Sequence, residues 1–262
     1  MSDVAGTLTL GGSSLSYEVT GEGDPIVLLP GYALDRRLWV EQMPALGSHR
    51  VVRYDLRGFG RSTIANEPYT HAHDLAALLD HLGIARATLI GLSLGGGAAI
   101  NFALLRPDAV AALVLVDSTL GGYRWSKEFA DESSAVRTVA KLRGLDAARE
   151  AWLHLKMFAP AMRSSRTAAR LRQMVRDFSG WHWLHADPGT SISPPAIERL
   201  AEIRARTLVV IGELDMPDFH TIADTLVAKM PDARKVVIPG AGHLPNLEKP
   251  AEFNAALAAF LG

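Results

Sequence analysis

GLSLGG, residues 91–96, sets one serine, Ser93, among glycines and leucines. Glycine removes side chains, so the backbone around Ser93 is free to turn sharply or to approach a neighbour closely. The pentapeptide Gly91–Gly95 matches G-x-S-x-G, and its surroundings are those the motif requires. The apolar run ATLIG (87–91) before it reads as a buried strand. The small-residue stretch GGGAAINFALL (95–105) after it reads as a helix ending before Pro107. Ser93 is therefore expected on a strained strand-to-helix turn that lifts its hydroxyl clear of a sheet. Gly95, Gly96 and Gly97 would let the helix pack close behind it.

A serine hydroxyl is a weak nucleophile until a base takes its proton. Of nine histidines, His243 stands in PGAGHLPNLEKP, at the end of the strand-like KVVIPGAGH (235–243), where a loop leaves the C-terminal edge of a sheet. Open α/β sheets bind their ligands at that edge. His71, His73 and His81 belong to a helix and suit solvated or capping roles. His182 and His185 fall in a helical segment, where they pack or touch substrate. The imidazole needs a carboxylate to hold its tautomer. Asp215 closes TLVVIGELD (207–215) at a strand end, with Asp117, closing AALVLVD (111–117), as a rival whose structural role would be to cap and brace the sheet edge. The order Ser93, Asp215, His243 suits a nucleophile elbow followed by its acid and base. Two backbone N–H groups should hold the oxyanion: that of Leu94, after the nucleophile, and that of Tyr32, beyond PIVLLPG (25–31). The Tyr32 phenol would touch substrate or simply pack.

Around these points the chain alternates buried strands with helices, as a parallel sheet covered on both faces does. TLTLGG and SLSYEVT form an amphipathic hairpin over 7–20. PIVLLPG, VVRYD (51–55), ATLIG, AALVLVD, TLVVIGELD and KVVIPGAGH supply the further strands. Residues 35–46, 71–82 and 246–261 read as helices. From Leu120 to about Pro195 no convincing strand appears, and four of the five tryptophans lie there. We therefore expect an α/β core over 1–118 and 196–262 with a helical cap, or lid, over 119–195. Of its aromatic residues, Trp125, Trp152 and Trp181 are candidate pocket residues, together with Tyr32 and Leu244.

Composition excludes several classes. With 27 Lys and Arg against 28 Asp and Glu, a net charge of -1 offers no footprint for nucleic acid or an anionic membrane. With no cysteine, disulfides, thiolate metal sites and a cysteine nucleophile are ruled out; the expected location is cytoplasmic. MSDVAGTLTLGG at the N-terminus lacks the basic and apolar regions of a signal peptide, and no apolar run reaches membrane-spanning length.

The segments LPGYALD, YDLRGFGRS, GLSLGG, IGELD and GAGHLPNLEKP, in that order, make the whole chain resemble the α/β-hydrolase superfamily. It looks most like the small lidded branch of 3-oxoadipate enol-lactonases, carboxylesterases and cofactor-free haloperoxidases. That resemblance implies a mostly parallel eight-stranded sheet with a cap after the sixth strand. It implies acyl-enzyme chemistry on a small ester or lactone with water, without metal or cofactor, in a monomer or homodimer. C–C hydrolysis, perhydrolysis or acyl transfer would use the same triad, and a hydrolase-fold ligand receptor is an alternative of another class. Serine at position 93 excludes the aspartate-nucleophile dehalogenases and epoxide hydrolases. Leu92 and Leu244 depart from the C–C hydrolase pattern. MPDF (216–219) departs from the pair usual after the acid. Asp55, Arg57 and Arg61 of YDLRGFGRS are read as braces for the loops around the elbow.

Overall fold

The computed structural model describes residues 4–64 and 67–262; the first three residues of the N-terminal stretch read above lie outside them. Eight strands form one sheet: β1 (Val4–Leu10), β2 (Ser13–Thr20), β3 (Pro25–Leu29), β4 (Arg50–Tyr54), β5 (Ala87–Leu92), β6 (Val110–Val116), β7 (Arg206–Gly212) and β8 (Ala233–Ile238). Their order is β1-β2-β4-β3-β5-β6-β7-β8. The β1–β2 hairpin and the β2–β4 pair are antiparallel, and every pair from β4 to β8 is parallel. The helices are α1 (His71–His81), α2 (Leu94–Leu105), α3 (Lys127–Arg143), α4 (Leu145–Leu153), α5 (Ala159–Met162), α6 (Ser165–Asp177), α7 (Trp181–Leu184), α8 (Ala196–Arg199), α9 (Pro217–Lys229), α10 (Pro245–Glu248) and α11 (Pro250–Leu261). Six of them, α3 to α8, fall between β6 and β7.

The apolar runs are buried for the reason their composition implies. Ile26 to Leu29, Leu89 and Ile90, Leu113 to Val116 and Leu208 to Ile211 are all at most 1% exposed. Strands covered by helices on both faces have no wet side, so they lose the alternation seen in β1. Two expected helices differ. Residues 35–46 form two short 3-10 turns, Arg36–Trp39 and Met43–Leu46, since Pro44 cannot donate to a continuing α-helix. The last helix is divided at Lys249 into α10 and α11, where Pro250 again removes a donor.

The topology places the site. From β3 the chain passes to β4 on one side and then to β5 on the other. The loops leaving β3 and β5 therefore part at a switch point, where such sheets open a crevice. Leu29 pairs with Gly91 across the two strands, which sets Gly31–Tyr32 beside Ser93. The approach of α2 to this edge is very tight: a Cβ on Gly95 would lie 2.4 Å from the Leu29 carbonyl oxygen and 2.6 Å from that of Pro30. Both contacts are with backbone, which has little room to move.

Gly95→Ala should therefore lift α2 off β3, destabilising the protein by about 2–3 kcal/mol, a fall of roughly 5–10 °C in Tm for a chain of this size. Thermal unfolding followed by circular dichroism checks this. An unchanged Tm would show that the contact relaxes freely.

Candidate active site

Ser93 occupies the turn between β5 and α2 with φ 53° and ψ −115°. A non-glycine residue there is strained and persists only when its neighbours hold it. The Ser93 N–H donates to the Val116 carbonyl at 2.9 Å, and the Ser93 carbonyl accepts from the N–H groups of Gly97 and Thr119, both at 3.1 Å. The Thr119 hydroxyl adds a third bond to that carbonyl at 3.2 Å. Ser93 precedes the first residue of α2, so the Leu94 N–H has no carbonyl inside the helix to receive it. Ala33, next to Tyr32, also has a positive φ of 58°; the loop beyond β3 turns as sharply as the elbow it faces.

His243, 2% exposed, follows β8. Its Nδ1 donates to Asp215 Oδ2 at 2.8 Å. With the proton on Nδ1, Nε2 keeps a lone pair able to accept a proton. Asp215 is fixed in turn: its other oxygen accepts the Met216 N–H at 2.8 Å. The loop carrying His243 is clamped by Glu248, whose two oxygens accept the N–H groups of Gly242 at 2.8 Å and Leu244 at 3.0 Å. Glu248 went unread in the sequence, although an acid in the first turn after a Leu-Pro pair suits such a back-reaching bond. Burial raises its carboxyl above the usual range, opposed by those two bonds and by His243.

Asp117 lies directly behind Asp215. Its Oδ1 accepts the Gly212 N–H at 3.0 Å, bracing β7 against β6, while Oδ2 is buried without a protein partner. It caps no helix. Burial, and after it the charge of Asp215, push its carboxyl well above the ordinary carboxylate range. One ligand atom from each of Asp117, Asp215 and His243 lies within 4.8 Å of the others, close enough for a cation by spacing alone. The hydrogen bonds just described already engage Asp215 and His243 with each other.

Ser93 and His243 open into one cavity of about 290 Å³ between the sheet edge and the helical segment, at the small end of sites for organic ligands. Tyr32, Trp125 and Trp152 line it, with Leu94, Phe129, Phe158 and Phe219. Trp181 and Leu244 do not. Trp183 takes the wall that the sequence reading gave to Trp181. Two residues apart on one helical turn point to opposite faces, and Trp181 instead stacks on His185, with ring centroids 4.8 Å apart. Leu244, next to His243 in the chain, is wholly buried.

The unusual MPDF stretch acquires a purpose here. Asp218 accepts from the Ser126 N–H at 2.8 Å, the Ser126 hydroxyl at 2.6 Å and the Tyr123 hydroxyl at 3.2 Å, tying α9 to the start of α3. Phe219 packs 4.3 Å from the His243 ring and faces the cavity. The polar residues of YDLRGFGRS lie away from it. Arg57 holds Asp74 through two bonds at 2.8 and 2.5 Å, and Asp55 accepts from the Arg36 side chain at 2.7 Å and from the Arg61 N–H at 2.9 Å. His73 is exposed; its N–H is capped by the Thr70 hydroxyl, which its Nδ1 also meets at 2.7 Å. His71 does not: its Nδ1 is buried and unpartnered, and burial lowers its pKa to about 4. His182 stacks on Phe59 at 4.5 Å.

With this geometry in place, comparison with known proteins identifies the family. Residues 26–256 match the model of the alpha/beta hydrolase family. The chain belongs to that family. It is accordingly an enzyme of hydrolase type. It is 32% identical to RutD of Caulobacter vibrioides, provisionally named a carbamate hydrolase, over 94% of this chain and 95% of the relative. Among solved structures it is similar to a thermophilic esterase from Thermogutta terrifontis, 30% identical with a TM-score of 0.83 over 100% of this chain and 98% of that one. It is also similar to the enol-lactonase from Burkholderia xenovorans LB400, 26% identical with a TM-score of 0.82 over 98% and 99% of the two chains. Among the described residues, no helix is long and apolar enough to cross a membrane.

The Asp117 carboxyl makes a prediction about stability. Above pH 4 or so the unfolded chain has released this proton, while the folded chain retains it. Folding then takes up a proton, and stability declines as pH rises. Asp117→Asn keeps the acceptor for Gly212 and removes the titration. Its Tm should exceed that of the natural protein at pH 8, with the gap closing toward pH 4. Parallel Tm curves across that range would show an ionised Asp117.

Proposed function

We propose that this hydrolase cleaves a small carboxylic ester or lactone through an acyl-enzyme intermediate, with Ser93 as nucleophile, His243 as base and Asp215 as its orienting acid. One observation carries the reading: an imidazole whose Nδ1 is held by a buried carboxylate at 2.8 Å shares a cavity with a serine on a positive-φ elbow. In this reading His243 Nε2 takes the Ser93 proton as Oγ attacks the carbonyl carbon. Asp215 stabilises the imidazolium that forms. Negative charge collects on the former carbonyl oxygen, between the backbone N–H groups of Leu94 and Tyr32. Removing one such donor typically costs about 3 kcal/mol of transition-state stabilisation. The imidazolium returns its proton to the departing alkoxide. Water, deprotonated by the same His243, then releases the acid and restores Ser93.

The aromatic walls support an acyl or alcohol group of modest size. The helical segment 119–195 serves as the lid, since it contributes the Trp125, Phe129, Trp152 and Trp183 walls. The esterase and enol-lactonase neighbours agree with this choice of bond. A reducing, cytoplasmic setting suits a chain without cysteine.

Hydrolysis of short p-nitrophenyl esters and of simple lactones is the test. Ser93→Ala should lose several orders of magnitude in kcat, and Asp215→Asn about 10⁴-fold through the wrong imidazole tautomer. His243→Ala should no longer be labelled by a fluorophosphonate. Equal, slow turnover by the natural protein and Ser93→Ala would sink the reading and favour a ligand-binding role.

A further inference from the structure

The polar atoms on the cavity wall are unusually one-sided. Apart from the catalytic pair and Thr119, whose hydroxyl donates to the Ser93 carbonyl, five lining side chains carry nitrogen or oxygen: Tyr32, Ser133, Arg137, Trp152 and Trp183. The Arg137 guanidinium and the Trp152 indole can only donate hydrogen bonds. Among the described residues, Arg137 forms no ion pair. The Trp152 Nε1–H is buried with no acceptor, in a side chain only 7% exposed. No carboxylate lines the cavity. Burial raises the Tyr32 phenol far above its ordinary pKa, so it too keeps a proton to donate.

These groups are arranged along an axis. Phe129, Ser133 and Arg137 recur every four residues on α3 and so share one face. About 12 Å of helix separates the first from the last. At the Phe129 end the wall is apolar: Phe129 stacks on Trp125 at 4.2 Å and lies 5.9 Å from Phe219, which touches His243. At the other end Arg137 is close enough for its charge to act on Tyr32 and on His182. Tyr32 in turn lies 5.2 Å from Trp152, ring centre to ring centre. Asp187, whose charge also reaches Tyr32, accepts from the Tyr69 hydroxyl at 3.1 Å and the Gly189 N–H at 2.8 Å through one oxygen and faces His182 Nε2 at 3.6 Å through the other.

A wall that offers donors and a full positive charge, with no acceptor of matching charge, asks the ligand to supply them. We propose that the substrate is an ester or lactone that also carries a carboxylate, which Arg137 binds at the cavity mouth while Ser133, Tyr32 and Trp152 supply neutral donors. The planar guanidinium suits a carboxylate because it can give two parallel N–H bonds. The aromatic stretch between Arg137 and His243 would hold the carbon chain joining that carboxylate to the reacting carbonyl. This inference rests on the serine-hydrolase reading for the words ester and lactone, but the anion site stands on its own geometry.

The test uses two readouts on the full-length natural protein, Arg137→Gln and Arg137→Lys. In the first, kcat/KM is compared within matched pairs. Mono-p-nitrophenyl glutarate is set against p-nitrophenyl valerate, and 3-(butyryloxy)benzoate against phenyl butyrate, so that the acid sits on the acyl or the alcohol side. We expect the natural protein to prefer the acid member of at least one pair by about 10- to 100-fold, the range of a charge-assisted hydrogen bond. In Arg137→Gln that preference should fall to about one, with partial recovery in Arg137→Lys. In the second, quenching of tryptophan fluorescence reports binding of glutarate against neutral glutaramide. It is repeated in Ser93→Ala, where no turnover intervenes. A preference for glutarate that depends on Arg137 supports the proposal even if no ester is cleaved. No preference for the acid in either readout, or a preference unaffected by Arg137→Gln, overturns it. Ester hydrolysis that survives Ser93→Ala overturns the nucleophile assignment instead and leaves the binding result to judge the anion site.

Discussion

The close approach of α2 to the sheet edge governs much of what this molecule can do. Gly91 and Gly95 face each other across the elbow: a Cβ on Gly91 would lie 2.4 Å from the Gly95 carbonyl oxygen. With no side chains in the way, the chain reverses within a few residues and Ser93 is left at φ 53°. That strain is held by bonds on both sides of Ser93, to Val116 and from Gly97 and Thr119. The same closeness keeps the loop after β3 within reach of the serine. A looser turn would separate the hydroxyl from that loop, and the chemistry proposed for the site depends on that separation staying small.

Charge is managed around this elbow by burial and by ordering acids behind one another. Asp215 meets His243, and Asp117 sits behind Asp215 with its carboxyl raised by burial. Two like charges at such a separation in a dry setting are costly, which, with burial, pushes the Asp117 carboxyl toward its protonated form. Glu248 contributes in a different way. It spends its oxygens on the N–H groups flanking His243, which fixes the backbone from which the ring projects.

The helical segment over the sheet is fastened at places that also shape the cavity. Asp218 binds the start of α3 through Ser126 and Tyr123, and the next residue, Phe219, packs on His243. A substitution in MPDF would thus alter the hold on α3 and the wall beside the base together. The α3 face that begins at this anchor carries Phe129, Ser133 and Arg137 into the cavity. The polarity gradient along the wall is then a property of one helix and of where its first turn is tied down.

Local sequence was sufficient wherever the chemistry is local. The apolar runs that became β3 and β5 to β7 are legible because burial on both faces leaves no polar alternation to confuse them. The elbow is legible because its glycines and serine are contiguous, and Asp215 and His243 because each ends or follows a strand. The walls of the cavity were legible only in part. Trp181 and Trp183 are equivalent in composition, and the rotation of one short helix decides that Trp183 faces inward. Arg137 is one of twelve lysines and arginines in the helical segment 119–195, with nothing local to distinguish it, until the packing of α3 turns its face toward the cavity. Asp117 and Asp215 follow adjacent strands with similar sequence signals; Asp215 meets His243 because β7 borders β8, which leads to the His243 loop, while β6 lies one strand further off. The sequence by itself determined the sheet, the elbow and the residue types of the site, because these follow from burial pattern and backbone sterics. The tertiary structure alone decided which side chains share the cavity, because that depends on helix rotation and on contacts between residues far apart in the chain.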